Sequence, residues 1–376
     1  MVSAFDGEML DCDGHLYMEP DVMQEIVGAV GASWIADYLR TYAGSDADRA
    51  ARAQARHDVW GVKGFSALGS YDAGDRVAAL DEMHIHRQLL FPNTTLRELR
   101  IDTPAAHTAC RRYNDFVIDW TKRADDRARA VCQINMTDHD KALAELGRVV
   151  GLGARGVLLP CAEPPAGTSP ASPAWDDFWR LLEESDTPAL IHIGAGGLAS
   201  AEADDPMLPP RQWADAPALH AIFPDQPGGE ERFGPFFIVV AHLAAEVYLT
   251  CLLMGGVFER FPRLRFGAIE FGAGWLGPLC ERLDRHAALL TKVGVDYPML
   301  PSEYARRNVR VTPQWTEPVD TLIERHGLPE SYVFNTDYPH VEGGRHPVDS
   351  FLEMTARVGA GYPRAFFVDN PRLLFP

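Results

Sequence analysis

The stretch MLDCDGH (residues 9–15) begins with apolar residues and ends in a carboxylate and an imidazole two positions apart. A short apolar run of this kind is typical of a buried β-strand. Side chains at positions i and i+2 of a strand point to the same side, so Asp13 and His15 can face one point in space. An Asp-x-His pair also occurs by chance, so its meaning depends on what the rest of the chain brings to it.

Seven more short apolar runs follow, and together they predict eight strands, each followed by a segment long enough to hold a helix. The predicted strands are 9–15, 87–92, 130–135, 156–160, 189–193, 264–270, 308–312 and 332–337. The predicted helices are 75–83, 104–122, 138–150, 173–184, 243–258, 275–290 and 317–326.

Eight such units predict an α/β fold of the (β/α)8 (TIM) barrel type, with residues 1–376 forming a single domain. A doubly wound open sheet is the rival, but no G-x-G-x-x-G motif follows the first strand and polar residues end several strands. The segments 20–75 and 194–238 are too long for ordinary βα loops. We interpret them as insertions after strands one and five, which form lids or dimer contacts on the active face.

Composition narrows the classes of partner. The net charge of −18 argues against nucleic acid and against an anionic membrane surface. Six scattered cysteines without a C-x-x-C pair indicate reduced thiols in the cytoplasm. The N-terminal residues do not resemble a signal peptide, and we expect no apolar run of about 18 residues. We therefore expect a cytoplasmic homodimer that acts on a small molecule.

Ionisable residues stand at the ends of four predicted strands. Strand one ends in Asp13 and His15, strand five in His192, strand six in Glu270 and strand eight in Asp337. The carboxyl ends of barrel strands meet at one face, and such groups would need partners if they were buried in a core. Two imidazoles with carboxylates suit Zn, Mn or Fe(II), so the sequence predicts a metal site.

Five segments carry a family resemblance: DCDGHLYMEP (11–20), PALIHIG (188–194), GGVFERFPRLRFGAIEFGAGW (255–275), FNTDYPH (334–340) and DNPRLLF (369–375). In order and spacing they resemble the amidohydrolase-related branch, within the amidohydrolase superfamily, that includes aminocarboxymuconate-semialdehyde decarboxylase. The resemblance implies a metal-dependent barrel enzyme and leaves its substrate open.

Position by position, the resemblance implies that Asp13, His15, His192 and Asp337 bind the metal. It also implies that Asp337 exchanges a proton with the bound water or the substrate. Asp13 replaces the first histidine of the family's H-x-H motif, a change that related decarboxylases tolerate. Metal binding is therefore expected to survive this departure.

Glu270 is the second departure, because several decarboxylases of the family have a histidine at this position. An ionised carboxylate would accept a proton rather than donate one. His242, at the predicted start of the next helix, is a candidate for the missing imidazole. A histidine bonded to nearby backbone is the equally weighted alternative.

Three further residues are candidates for substrate contacts. They are Trp275 just past strand six, His340 after Asp337, and Arg345 on a loop above the barrel. A core position for the tryptophan and a solvated surface position for the arginine are the competing interpretations.

The lack of a lysine at the end of predicted strand four bears on the number of metal ions. Binuclear members of the superfamily use a carboxylated lysine at the end of strand four, and none of the four lysines lies there. We therefore predict one divalent transition metal, Zn or Mn.

The resemblance leaves the reaction open between two chemistries. We favour non-oxidative decarboxylation of an aromatic or unsaturated carboxylic acid. The second is hydrolysis of an amide, lactone or cyclic imide by a metal-activated hydroxide, which Glu270 in place of histidine favours. A barrel that has lost its chemistry and serves as a binding module is the third hypothesis.

Overall fold

Seven parallel strands form one sheet whose spatial order follows the sequence. Helices connect each strand to the next, as parallel pairing requires. The protein is described by a computed structural model that covers residues 5, 8–28, 39–93, 100–194, 213, 215–219 and 235–376. The strands are β1 (Met9–Leu16), β2 (Ile85–Pro92), β3 (Ala128–Gln133), β4 (Gly156–Leu158), β5 (Ala189–His192), β6 (Phe266–Ile269) and β7 (Val309–Val311).

Helices follow each of these strands, and several begin at a side-chain cap. Asp72, Thr103 and Asp138 each accept a hydrogen bond from the backbone N–H three residues ahead. The helices are α1 (Pro20–Val27), α2 (Asp46–Ala55), α3 (Ala73–Glu82), α4 (Pro104–Lys122), α5 (His139–Leu152), α6 (Asp176–Glu184), α7 (Pro235–Val240), α8 (His242–Met254), α9 (Val257–Arg260), α10 (Leu276–Leu290), α11 (Pro301–Asn308), α12 (Val319–His326), α13 (Pro347–Val358) and α14 (Tyr362–Arg364).

Residues 331–338, which we call the closing segment, occupy the place of the predicted eighth strand. On one side, the Val311 N–H donates to the Ser331 carbonyl at 2.8 Å. On the other side, the His15 N–H donates to the Tyr338 carbonyl, also at 2.8 Å. The closing segment therefore joins β7 to β1 and completes a ring, although only isolated bridges mark its pairing.

Apolar side chains fill the inside of this ring. Strands β1 to β6 and the closing segment all contribute to one buried cluster, which includes Cys12, Leu89, Phe91, Val131, Leu158, Leu190, Ile269 and Val333. A larger cluster packs the outward side chains of the strands against the helices. Because the interior is packed, polar groups collect where the strands end, at the carboxyl face.

The α/β class predicted from the sequence is confirmed, and the seven parallel strands with their helices are consistent with the predicted barrel. The bounds of the first seven predicted strands agree to within about two residues, whereas the predicted eighth strand, 332–337, forms only isolated bridges. The helix 104–122 was predicted with its exact bounds, whereas α1, α2, α7, α11, α13 and α14 were not predicted. The segment 20–75 contains α1 and α2. The segment 194–238 lies mostly outside the described residues, so its interpretation as an insertion stays a prediction.

The expectation that no apolar run reaches membrane-spanning length is wrong. The helical stretch Pro235–Met254 has 20 residues and a mean hydropathy of 2.1, which is enough to cross a membrane by length and composition alone. Its second part, α8, packs buried side chains into the core of the barrel, among them Ala245, Leu249 and Leu252. One such helix is weak evidence for a membrane span, and the absence of a membrane partner stays a prediction.

The packed interior yields a stability prediction. Leu190 is fully buried inside the ring, so Leu190→Ala is expected to lower the free energy of unfolding by about 2–5 kcal/mol through lost transfer energy and a residual cavity. Leu289→Ala, at a side chain 53% exposed on α10, is the matched control and should change it by less than about 0.5 kcal/mol. Urea unfolding of both variants measures the difference, and equal losses would contradict the packed interior.

Candidate metal centre

The strand-end residues predicted from the sequence converge at the carboxyl face. The Nε2 atoms of His15 and His192 each lie 3.3 Å from Oδ1 of Asp13. Oε2 of Glu270 lies 3.1 Å from Nε2 of His192, and Oδ1 of Asp337 lies 3.4 Å from Nε2 of His15. These atoms surround one small volume, as a metal site requires.

Two overlapping groups of potential ligand atoms describe this cluster. One group combines Asp13, His15, His192 and Glu270, and its ligand atoms all lie within 4.8 Å of one another. The other combines His15, Glu270, Asp337 and His340 under the same limit. Because His15 and Glu270 belong to both groups, the geometry fits a single ion better than two separate ones.

A bulge in β1 aims Asp13 into the cluster. Asp11 is paired with Gln88, and Gly14 is paired with Leu90. Between these two pairs β1 advances by three residues while β2 advances by two, so β1 contains one extra residue. The extra residue interrupts the alternation of side chains between the two faces of the strand. Cys12 can therefore join the apolar interior while its neighbour Asp13 also reaches the site.

Left-handed backbone at two strand ends aims the other carboxylates. Ile269 packs inside the ring, so the next residue of a regular strand would face outward. Glu270 instead has φ = 66°, and its carboxylate reaches His192. Asp337 has φ = 52° at the end of the closing segment. Such backbone costs about 1–3 kcal/mol for a residue other than glycine, and at both positions it accompanies a carboxylate that reaches the cluster.

The His192 ring is fixed in the orientation that suits a ligand. Its Nδ1 lies 2.7 Å from the carbonyl oxygen of Ile193, to which it donates. The other ring nitrogen, Nε2, points toward Asp13. A metal-binding histidine commonly makes this type of hydrogen bond through its other nitrogen, because the bond fixes the ring.

Buried polar atoms without hydrogen-bond partners test whether these residues fit a metal ion. Oδ2 of Asp13, both carboxylate oxygens of Asp337 and both ring nitrogens of His15 are buried and form no hydrogen bond within the described part of the chain. Some of these atoms lie within ion-pair distance of one another, as between His15 and Asp337, but such contacts do not replace the hydrogen bonds lost on burial unless a ligand completes them. Nitrogen and oxygen donors of this kind fit a divalent transition metal.

Electrostatics within the cluster support the same conclusion. Burial would lower the pKa of His15, but the carboxylates of Asp13 and Asp337 outweigh it and raise the pKa to about 10. Burial would raise the pKa of Asp337, yet the imidazoles of His340 and His15 hold it well below its usual range. The carboxylates thus favour a positive charge at their centre, which a proton or a metal ion can provide.

A buried carboxylate beneath the cluster ties β1 to the closing segment. Asp11 accepts hydrogen bonds from the Thr336 N–H at 2.9 Å, the Thr336 hydroxyl at 2.6 Å and Nε2 of Gln88 at 2.7 Å. It also accepts one from the backbone N–H of Asp13 at 3.1 Å. Asp13 is held through its own N–H, and Asp337 directly follows Thr336. The Asp11 carboxylate therefore fixes the backbone at both residues of the cluster.

Arg76 on α3 completes this network from below. Its guanidinium donates to Oε1 of Gln88 at 2.7 Å and to the His15 carbonyl at 2.6 Å. Gln88 thus connects the buried cation to Asp11, with its oxygen facing Arg76 and its nitrogen facing the carboxylate. Gly14 permits this arrangement, because a Cβ at that position would lie 2.2 Å from Cδ of Gln88.

The remaining predicted site residues lie in different places. His340 joins the cluster, since its ring stacks on His15 with centroids 3.8 Å apart and its Nδ1 lies 3.0 Å from Oδ1 of Asp337. Trp275 is buried and donates to the Gly272 carbonyl, in the hydrophobic core. Arg345 is exposed. Substrate contacts by these residues stay predictions.

His242 belongs to neither group of ligand atoms among the described residues. Its Nδ1 lies 3.0 Å from the carbonyl oxygen of Val239, and its Nε2 lies 3.5 Å from Glu246 on the same helix. This is the backbone-bonded arrangement that the sequence left open as the alternative. The assignment of His242 as a proton donor stays a prediction.

Sequence reasoning missed a cavity beside the cluster and the network below it. The cavity is lined by Glu270, Thr312, Gln314, Trp315, Asn335 and Glu342, among others. Polar residues directly after β7 were a signal that could have indicated it. Gln88 and Arg76 gave no comparable signal, because each is a lone polar residue within an otherwise ordinary element.

The supporting network yields a prediction about metal affinity. Gln88→Met keeps the length of the side chain but removes the hydrogen bonds to Asp11 and Arg76, so Mn²⁺ affinity is expected to fall about tenfold or more. Gln54→Met, at an exposed position of α2, is the matched control and should leave affinity unchanged. Calorimetric titration of the metal-free proteins measures both, and equal affinities would contradict the role of the network.

Comparisons with known proteins agree with this geometry. A gamma-resorcylate decarboxylase of Rhodococcus jostii (strain RHA1) is 26% identical over 277 residues, which is 70% of this chain and 76% of the relative. An amidohydrolase from Mycobacterium avium subsp. paratuberculosis K-10 superposes with a TM-score of 0.70 at 20% identity, over 99% of this chain and 100% of that one.

A further solved structure is the 5-carboxyvanillate decarboxylase of Novosphingobium aromaticivorans DSM 12444, in complex with manganese and 4-hydroxy-3-methoxy-5-nitrobenzoic acid. It superposes with a TM-score of 0.66 at 19% identity, over 99% of this chain and 97% of that chain. At this identity the likeness concerns the fold. The sequence model of the family described as amidohydrolase matches residues 10–376, so this chain belongs to the amidohydrolase family.

Proposed function

We propose that this chain is a metal-dependent decarboxylase that removes CO2 from an aromatic carboxylic acid without oxidation. The observation that carries the proposal is the convergence of Asp13, His15, His192, Glu270 and Asp337 in one buried cluster. Relatives named as decarboxylases of gamma-resorcylate and of 5-carboxyvanillate, both aromatic acids, support the reaction class.

Asp13, His15, His192 and Asp337 would hold one divalent transition metal, with Glu270 beside them. The manganese in the Novosphingobium enzyme makes Mn²⁺ the first ion to test, and Zn²⁺ the second. When bound, the ion supplies a Lewis acid that draws the oxygen atoms of an acidic substrate into the site.

The carboxylates of the cluster would handle the proton. Asp337 is held in its ionised form by His340 and His15, so it must first accept a proton before it can donate one. A phenolic hydroxyl of the substrate is a suitable source. Delivery of that proton to the ring carbon forms a C–H bond, and the electrons of the breaking C–C bond return to the ring as CO2 leaves.

Glu270 is suited to accept a proton rather than to donate one. Its carboxylate lies against Nε2 of His192 and at the rim of the cavity. In decarboxylation this position would orient a substrate hydroxyl. In hydrolysis the Glu270 carboxylate would accept a proton from water. Hydrolysis of a lactone or amide is therefore the second candidate reaction.

The residues that line the cavity beside the cluster are of the kinds that contact an aromatic acid. Trp315 offers a flat apolar surface, while Gln314 and Asn335 offer amide groups that can bond to hydroxyl substituents. The indole of Trp315 is held by a hydrogen bond from its Nε1 to the Glu342 carbonyl at 2.8 Å. A homodimer in the cytoplasm completes the proposal and rests on the sequence alone.

Asp337→Asn tests the reaction. Loss of the proton-transferring carboxylate is expected to lower CO2 release from gamma-resorcylate by about 100-fold or more in the Mn²⁺-loaded protein. Asp349→Asn, at an exposed position of α13, removes the same charge and should keep full activity. CO2 release is measured beside a panel of lactones and amides, and turnover of that panel without CO2 would favour hydrolysis instead.

His192→Ala tests the metal site independently of activity. We expect about one transition-metal ion per chain in the wild-type protein and a large loss of bound metal in the variant, because a ligand of a mononuclear site is removed. His346→Ala, at an exposed position, should retain the metal. Elemental analysis after dialysis gives the ratio, and full metal content in His192→Ala would exclude this residue as a ligand.

A further inference from the structure

Two turns at the carboxyl face lie side by side next to the cavity. Residues 270–275, which we call the β6 turn, connect β6 to α10, and residues 312–317, which we call the β7 turn, follow β7. The β6 turn contains two residues with left-handed backbone, Glu270 at φ = 66° and Gly272 at φ = 70°. Since this backbone turns the Glu270 carboxylate toward His192, whatever holds the β6 turn also decides where that carboxylate points.

Side chains of the β7 turn accept hydrogen bonds from the backbone of the β6 turn. The Thr312 hydroxyl oxygen accepts from the N–H of Glu270 at 2.6 Å. The Glu317 carboxylate accepts from the N–H of Ala273 and from the N–H of Gly274, both at 2.9 Å. Three N–H groups of the β6 turn therefore depend on two side chains of its neighbour.

The same carboxylate closes the β7 turn. Oε2 of Glu317 accepts from the N–H of Gln314 at 2.7 Å, and the N–H of Glu317 donates back to the Gln314 carbonyl at 2.9 Å. All the hydrogen bonds accepted by this carboxylate thus come from backbone N–H groups of the two turns. Glu317 joins the turn that carries Glu270 to the turn that carries the cavity residue Gln314.

Glycines allow the carboxylate to come this close to the backbone. A Cβ at Gly272 would lie 3.0 Å from Oε2 of Glu317, and a Cβ at Gly274 would lie 3.1 Å from Oε1. The left-handed backbone at Gly272 also favours glycine. The β6 turn is therefore shaped to receive the Glu317 side chain.

A carboxylate is better suited to this place than a neutral amide. Each of its two oxygens accepts, whereas a glutamine side chain has one accepting oxygen and an NH2 group that only donates. Glutamine at this position would turn a donor toward the N–H of either Gln314 or Gly274. The N–H groups of Ala273 and Gly274 also precede α10, and the positive end of a helix favours a negative charge.

We propose that Glu317, together with Thr312, is a positioning residue that holds the Glu270 carboxylate toward the substrate. This inference rests on the proposed function and deepens it, because Glu270 is the group that orients a substrate hydroxyl there. Glu317 acts through the backbone of the β6 turn. When its hydrogen bonds are lost, Glu270 is free to leave the left-handed backbone that directs it to the cavity.

Glu317→Gln tests this role through the kinetics of CO2 release from gamma-resorcylate in the Mn²⁺-loaded protein. kcat is expected to fall about tenfold or more, because a displaced Glu270 no longer orients the reacting hydroxyl. KM should change by less than about threefold, since the proposed metal ligands stay in place. Glu324→Gln, at an exposed position of α12, removes the same charge and should keep wild-type values.

Binding of two probes tests the same role without turnover of gamma-resorcylate. In calorimetry with Mn²⁺-loaded protein, wild type is expected to bind 2-hydroxybenzoate about tenfold more tightly than benzoate, through a charge-assisted hydrogen bond from the hydroxyl to Glu270. In Glu317→Gln this preference should fall to about twofold or less, while Glu324→Gln keeps it. A lower midpoint of thermal unfolding with unchanged kcat and preference would show a structural role alone and overturn the inference.

A second variant reaches the β6 turn through a different bond. If Glu317→Gln does not fold, Thr312→Val takes its place, because it removes the acceptor of the Glu270 N–H at nearly the same side-chain volume. The same losses of kcat and of hydroxyl preference are expected. Wild-type values of both in Thr312→Val would then overturn the inference.

The outcomes separate the positioning role from the reaction. A hydroxyl preference that Glu317→Gln loses, in a protein that releases no CO2, would contradict the decarboxylation and support the role of Glu317. Decarboxylation with equal kcat and equal preference in wild type and Glu317→Gln would support the reaction and overturn the role of Glu317. A wild-type protein that binds neither acid would overturn both.

Discussion

The Asp11 carboxylate is the interaction on which the site depends. It accepts hydrogen bonds from β1, from Gln88 on β2 and from Thr336 in the closing segment, all in the absence of solvent. Three backbone hydrogen bonds also join the closing segment to β1: Cys12 and His15 donate to the carbonyls of Phe334 and Tyr338, and Asp337 donates to the carbonyl of Asp13. Burial raises the pKa of Asp11 to about 7, and the donors around the carboxylate limit this rise. The Asp11 network and these backbone bonds together hold the seam of the barrel and keep Asp13 near Asp337.

The residues of the metal cluster, which lie above Asp11, adopt an arrangement that lowers the stability of the fold. Asp13, His15 and Asp337 bury polar atoms without hydrogen bonds, and Glu270 and Asp337 adopt left-handed backbone. A packed ring interior and a large outer core supply the stability that offsets these costs. Binding of a ligand to the folded state stabilises the protein and can offset such local losses of stability. The left-handed backbone and the buried polar atoms without hydrogen bonds thus coincide with the place where a metal ion and a substrate would bind.

The sequence predicted the features that have a periodic or positional signal. Buried strands read as short apolar runs, and ionisable residues at their ends identified His192 and Asp337 without any contact information. Features that depend on tertiary geometry could not be predicted. Strand alternation would point the side chain of Glu270 away from the site, and the left-handed backbone at this residue turns it toward the site. The bulge in β1 has the same effect on the side chain of Asp13. Helix α2 was missed because its residues are almost all polar or small, and its Asp48 is engaged by Ser66 only through folding.

Charge balance connects the metal centre with the choice of substrate. A cluster rich in carboxylates binds a divalent cation strongly, but the same carboxylates repel an acidic molecule. A divalent ion at the cluster offsets this repulsion, because its two positive charges lie closest to the carboxylates. Binding of an acidic substrate therefore depends on prior binding of the metal, and the same group of side chains, Asp13, Glu270 and Asp337, sets both affinities.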